Sequence, residues 1–261
     1  MILMNKFNNE LFTLTWGCQS ENHVGMEKIG NGLSERGFSE NDLEEVKRIF
    51  EKEKYECILY DLNQEIDNIP IDVEKAQVLV IKNGVNLFAN PDKLYEYLKS
   101  LDWDKKYFDV RRQRVLNKLA RYNLIFANFN QKADYENKKG SIYDINDNEE
   151  LKNIKLKLNS YFGDEFKNLE CEGNYYYNLK KCGIGYHGDV ERKKVIGMRF
   201  GESCDLKYWW YYQNKRINKR INICLEHGDM YIMNFKATGN DWKKRSLFTL
   251  RHATGCEKYV K

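Results

Sequence analysis

Apolar residues recur at two spacings along the chain, and the changeover near residue 173 divides it. Leu43, Val46, Ile49 and Phe50 follow Ser39-Glu40-Asn41-Asp42, a capping-box pattern, and predict a helix to about Lys54. Leu11–Trp16 alternates as a strand does, and Tyr55–Leu62 reads as a second strand. Asp67-Asn68-Ile69-Pro70 is the expected internal boundary, because Pro70 cannot continue a ladder. Ala76–Ile81 then predicts a buried strand, ended by the turn signal Asn83-Gly84. Pro91–Leu101 predicts a helix, with Pro91 suited to its first position and Leu94, Tyr97, Leu98 and Leu101 inward. Glu149–Tyr161 predicts another, on Leu151, Ile154, Leu158 and Tyr161.

From Gly173 onward the apolar runs shorten. Asn174–Asn178, Val195–Phe200, Leu206–Tyr212, Ile217–Leu225, Met230–Met233 and Leu247–His252 follow one another across turns. Many short strands without intervening helices argue for a sandwich or barrel over a βαβ sheet. The expectation is an α+β chain: a small N-terminal α/β unit over residues 1–70, then a domain over 71–261 in which helices precede an antiparallel β-region.

Composition narrows the function. Of 261 residues, 42% are hydrophobic and 14% aromatic, which excludes a disordered chain. No apolar run approaches the ~20 residues of a membrane span, and Met1–Asn9 lacks a signal-peptide core. A soluble, intracellular protein, cytoplasmic or nuclear and not secreted, is expected, with no membrane partner. Seven cysteines without a CxxC pair or regular spacing fit free thiols. The net charge of +4 permits a nucleic-acid partner without demanding one. Only four histidines, at 23, 187, 227 and 252, are available for imidazole chemistry.

Gly185-Tyr186-His187-Gly188-Asp189-Val190-Glu191 carries the strongest chemical signal. Residues two apart in a strand share a face, so His187 and Asp189 present an imidazole and a carboxylate together. Such a pair with a distant histidine is the facial triad that holds iron(II) and leaves coordination positions open. Alone, the pair is common in surface turns.

Its context is more specific. Tyr175-Tyr176-Tyr177, the run Ile184-Gly185-Tyr186-His187-Gly188-Asp189, the strands Val195–Gly201 and Tyr208-Trp209-Trp210, Leu225-Glu226-His227-Gly228-Asp229, and Thr249-Leu250-Arg251 follow in order. Together they resemble the motifs of AlkB-like iron(II)/2-oxoglutarate oxygenases over roughly the last 90 residues, closest to a branch that includes proteins of large viruses. Arg111–Asn130 resembles part of that family's substrate lid. The resemblance implies a double-stranded β-helix (jelly-roll) core, iron(II), 2-oxoglutarate and O2 as cofactor and co-substrates, and a nucleic-acid base as substrate.

The third ligand departs from that pattern, because Asn234–Lys244 contains no histidine. His227, Asp241 and His252 are the alternatives, and His252 is preferred: it lies far enough beyond His187 for the chain to return beside it. For the distal carboxylate of 2-oxoglutarate, Arg245 and Arg251 match the spacing of the family's closing arginines. If His252 is a ligand, Arg251 points away and Lys258 or Lys261 must supply the charge. Tyr177 is a candidate hydroxyl donor to the same co-substrate, or a packing residue.

Arg111, Arg112 and Arg114, followed by Lys118 and Arg121, form the densest basic run. It reads either as a solvated helix face or as a phosphate-contacting element whose Tyr122 and Phe126 stack bases. Asn22-His23-Val24-Gly25-Met26 has the texture of a binding loop, without a mechanism. The function expected is a dioxygenase that hydroxylates or demethylates a nucleic-acid base. Its rivals are a hydroxylase of protein side chains or small molecules, and a metal-free nucleic-acid-binding pseudo-enzyme.

Overall fold

Ser39 accepts a hydrogen bond from the Asp42 amide while the Asp42 carboxylate bonds back to the Ser39 amide, so the first helix starts where its capping pattern places it. The computed structural model describes residues 6–64 and 73–261, and the boundary expected at Asp67–Pro70 lies outside them. Strand β1 (Leu11–Gly17) leads through β2 (Ser20–Glu21) and β3 (Lys28–Ile29) to helix α1 (Glu40–Lys52) and strands β4 (Cys57–Asp61) and β5 (Gln77–Ile81). Helix α2 (Pro91–Ser100) precedes the hairpin β6 (Lys106–Asp109) and β7 (Arg114–Asn117), then β8 (Tyr122–Ala127), β9 (Ile142–Asp144) and α3 (Glu149–Tyr161). The remainder is β10 (Glu170–Tyr176), β11 (Gly183–His187), β12 (Val195–Gly201), β13 (Cys204–Tyr212), β14 (Lys215–Leu225), β15 (Met230–Met233), β16 (Thr249–Gly255) and a short α4 (Glu257–Val260).

Eight strands form one mixed sheet in the order β4-β5-β15-β12-β1-β10-β8-β9, and four form a second in the order β11-β16-β13-β14. Neither sheet closes on itself. Apart from the parallel β8–β9 pair, every pairing in both is antiparallel.

The alternation in β1 shows why the layers stack as they do. Phe12, Leu14 and Trp16 point to one face, where they meet Leu43, Val46 and Phe50 of α1, Leu94 and Leu98 of α2, and Leu151, Ile154 and Leu158 of α3. Thr13 and Thr15 point to the other face and line a cavity between the sheets. Further along, Val78, Val80, Val195 and Met233 of the large sheet pack against Leu206, Tyr208, Trp210, Ile223 and Leu250 of the small one. The result is three layers: helices, large sheet, small sheet. Pro91 occupies the first turn of α2, as predicted. The side chain of Tyr161, expected on the inner face of α3, lies outside the described residues.

Three expectations change. The stretch 1–70 is not a separate unit: β1 is paired in full register to both β10 and β12 at the centre of the large sheet. Sequence patterning reveals a strand but not its neighbours, which here lie more than 150 positions away. The basic run is no helix. Arg111, Arg112 and Gln113 form the turn of the β6–β7 hairpin, with Gln113 at φ +49°. Finally, β8, inside the stretch likened to a lid, is a strand of the large sheet beside β10. No described helix is long and apolar enough to cross a membrane, and all seven cysteines are free.

Candidate metal centre and its cavity

Strands β11 and β16 run antiparallel at one edge of the small sheet, and their register sets His187 directly opposite His252. Asp189 lies just past the end of β11, in a turn fixed from several sides. Its amide donates to Thr238 O at 3.0 Å, and Asn240 Nδ2 donates to the carbonyls of Asp189, Val190 and Arg192. Gly188 permits this approach. A Cβ there would lie 2.0 Å from Gly239 O, and Gly239 itself holds φ +67°.

The three side chains converge. His187 Nε2 and His252 Nε2 each lie 3.7 Å from Asp189 Oδ1, and the three ligand atoms all fall within 4.8 Å of one another. Metal bonds of about 2 Å bring ligand atoms to roughly 3 Å of each other, so a cation would tighten this group only modestly. His187 Nδ1 lies 2.8 Å from Gly185 O. Donating there, it leaves the Nε2 lone pair free for a metal. His252 is buried and its Nδ1 has no partner. Burial, reinforced by His187 and Arg192, pushes its pKa well below the ordinary imidazole range. A neutral ring is the form that ligates.

The triad opens into a cavity of about 850 Å³ between the sheets. On the opposite wall Arg199 of β12 is 1% exposed, yet its Nε and Nη1 have no hydrogen-bond partner among the described residues. Three hydroxyl-bearing side chains lie within electrostatic reach of it. Thr13 is its register partner on β1, its Oγ1 also without a partner. Tyr231 lies under the guanidinium, 5.8 Å from ring centroid to Cζ, over Gly197, where any Cβ would strike the ring. Tyr208, fully buried and cross-strand to His252, has an unpartnered hydroxyl. Buried polar groups are nearly always satisfied. An unpaired buried guanidinium beside orphaned hydroxyls has the donors to receive an anionic group such as a carboxylate.

The cavity floor is polar but self-satisfied. Glu172 is bonded by Arg192, Asn123 and Asn174, and Arg192 Nε also donates to Gln19 O. Its rim includes Val24, Val190 and Trp242. The loop Asn22–Met26 lines this cavity, with the His23 ring stacked on Tyr107 at 3.7 Å.

The structure sorts the other sequence candidates. His227 is remote from the triad, stacked on Phe7 at 4.8 Å and accepting from the Gly201 amide at Nδ1. Asp241 is tied to Lys236 at 2.6 Å. Arg251 faces away from the cavity, between Tyr211 and Trp242, because strand alternation turns it opposite to His252. Arg245 is exposed in the loop before β16, and Lys258 and Lys261 are exposed at the C-terminal end. None of these four lines the cavity. Tyr177 is a packing residue, stacked on Tyr122 and donating to Leu119 O, while its neighbour Tyr176 lines the cavity. Arg111, Arg112 and Arg114 sit exposed on the hairpin, Arg112 paired to Asp109 at 2.9 Å. Of the basic run only Arg121 reaches the main cavity, its Nε bonded to Asn174.

Arg199 is not among the candidates that the motifs point to. A signal existed: Arg199 is the lone charge in the strand Val195-Ile196-Gly197-Met198-Arg199-Phe200-Gly201, and a buried strand tolerates a charge only where something pairs with it.

The chain is 45% identical over 253 residues to "Uncharacterized protein R156" of Acanthamoeba polyphaga mimivirus, covering 97% of this chain and 98% of that one. It belongs to the same family as that protein. No protein-family profile matches the chain.

Proposed function

We propose that this protein is an iron(II)- and 2-oxoglutarate-dependent dioxygenase, an oxidoreductase of AlkB-like type with a jelly-roll core. One observation carries the reading: His187, Asp189 and His252 converge on a cavity whose far wall bears an unpaired, buried Arg199. Two imidazoles and a carboxylate suit iron(II) and leave positions open. The two facing open sheets, with the triad on the smaller one, are compatible with a double-stranded β-helix.

In the bound state the iron and 2-oxoglutarate supply the redox chemistry, in which O2 and 2-oxoglutarate become succinate, CO2 and one oxygen atom inserted at a substrate C–H. The chain's own share is placement. His187 is held in its ligating tautomer by Gly185 O, and Asp189 by the Thr238 and Asn240 contacts. Arg199 and Thr13, which line the cavity opposite the triad, would hold the distal carboxylate of 2-oxoglutarate. Val24, Val190 and Trp242 at the rim limit water around the reacting carbon.

For the substrate we infer a nucleic-acid base, flipped or unpaired so that it enters the cavity. The family resemblance and Arg121 in the cavity wall support this. The hairpin arginines stand outside the cavity and favour a second reading, hydroxylation of a small molecule or protein side chain. Anaerobic addition of iron(II) and 2-oxoglutarate is the first test: a weak visible charge-transfer band is expected, and its absence would overturn the proposal. Nucleoside mass spectrometry after incubation with DNA and RNA, methylated and unmodified, decides between the substrates.

A further inference from the structure

Behind His23 and Arg121 lies a second cavity of about 240 Å³, which shares those two residues with the main one. Lys118, Asn117 and Asn123 also line it, and none of its lining residues is acidic. Lys118 is 6% exposed, and its ammonium is held by three uncharged oxygens: Asn22 O at 3.2 Å, Asn22 Oδ1 at 2.6 Å and Asn123 Oδ1 at 3.0 Å. The nearby carboxylates are engaged elsewhere. Asp104 bonds Asn22, Tyr135 and Ser141, and Glu172 is tied to Arg192. Arg121 spends its Nε on Asn174, an uncharged partner. Two cations thus border one small cavity with amides as their hydrogen-bond partners, although buried charges are ordinarily paired.

We propose that this annex is an anion site, in which Lys118 and Arg121 take the phosphate or carboxylate of the molecule that the main cavity receives. The identity of that molecule as substrate rests on the oxygenase reading; the anion site itself does not. Burial pushes the Lys118 pKa down to about 7, with Arg121 adding to the shift and Asp104 and Glu172 opposing it. His23, also on the annex wall, is pushed down to about 4 by burial and by Lys118, so it stays neutral at these pH values. An anion supplies the counter-charge that the ammonium lacks, so binding draws in a proton and tightens as the pH falls through 7.

Calorimetric titration of the full chain with sulfate, whose charge is constant over this range, tests the site. Binding is expected at pH 6.5, weaker by about tenfold at pH 8.5. Arg121→Gln, at a half-buried position, should weaken it at least as much, while Arg199→Gln leaves it in place. Lys118→Met, if it folds, should remove the pH dependence. Phosphate binding tighter than acetate would assign the site to a phosphate ester, and the reverse to a carboxylate. No sulfate binding, or binding abolished by Arg199→Gln and untouched by Arg121→Gln, would overturn the proposal. Separate titration with manganese(II) and 2-oxoglutarate isolates the oxygenase reading: its failure there leaves the anion site standing.

Discussion

Thr13 and Arg199 are register partners on adjacent strands, and both end in buried polar atoms that no group among the described residues satisfies. A carboxylate placed between them would meet a charge and a hydroxyl at once. Replacing Arg199 with Gln should raise the 2-oxoglutarate requirement by roughly 100-fold, the loss of about two charge-assisted hydrogen bonds. Manganese(II) affinity should stay unchanged. Arg251→Ala, on the outer face, should leave the 2-oxoglutarate requirement as it was. Co-substrate titration of the three proteins compares them directly, and a larger effect from Arg251 would reverse the assignment.

His187→Ala, Asp189→Ala and His252→Ala should each abolish iron(II) or manganese(II) binding in calorimetry with the fold intact. His227→Ala should keep the metal. It leaves the Gly201 amide without its acceptor and is expected to cost about 1–3 kcal/mol in denaturant unfolding. Retained metal affinity in the His252 variant would remove the triad.

Gly188→Ala should be far more damaging than its single methyl group suggests. The new Cβ meets the Gly239 carbonyl, part of a backbone that cannot swing aside, so Asp189 must move. Loss of metal binding and a lowered Tm are expected. At Gly163 a Cβ meets nothing within 4 Å, so Gly163→Ala serves as the silent control.

Lys118 makes stability depend on pH. Its folded pKa, about 7, lies below the ordinary 10.5 because burial disfavours the ammonium. Between those values the unfolded chain holds a proton that the folded chain has released. Stability therefore rises with pH from about 7 to 10.5, and the penalty is fully present below 7. Urea unfolding at pH 6.5, 8 and 9.5 should show this rise in the wild type and a flatter profile in Lys118→Met.

If the exposed hairpin meets phosphates, replacing Arg111, Arg112 and Arg114 together should flatten the salt dependence of duplex binding by up to about 0.9 log units per lost contact. An unchanged salt slope would mark the hairpin as solvated surface.

The residues legible in the sequence are those whose meaning is local. A spacing of two singles out His187 and Asp189, the cap marks α1, and Pro91 marks α2. His252 needed one further step, a chain long enough to return, and strand alternation then placed Arg251 outward. What stayed hidden depends on which strands become neighbours. Thr13 gains its role only from standing opposite Arg199, and no pattern within Leu11–Gly17 states that. The β6–β7 hairpin was hidden differently: Val110-Arg111-Arg112-Gln113 lacks the Gly or Asn-Gly that announces a tight turn, and Gln113 adopts the left-handed conformation without such a residue.

The position of β1 also orders events during synthesis. Strand β1 is made before both of its partners, β10 and then β12, and until Gly201 has emerged at least one of its edges is open. An unpaired strand carrying Phe12, Leu14 and Trp16 is a template for pairing with another chain. The half-made protein is thus most vulnerable to aggregation during the stretch when α1, α2 and α3 are complete and its central sheet is not. His252 comes later still, so the triad proposed to hold a metal is completed only in a chain that has passed that hazard.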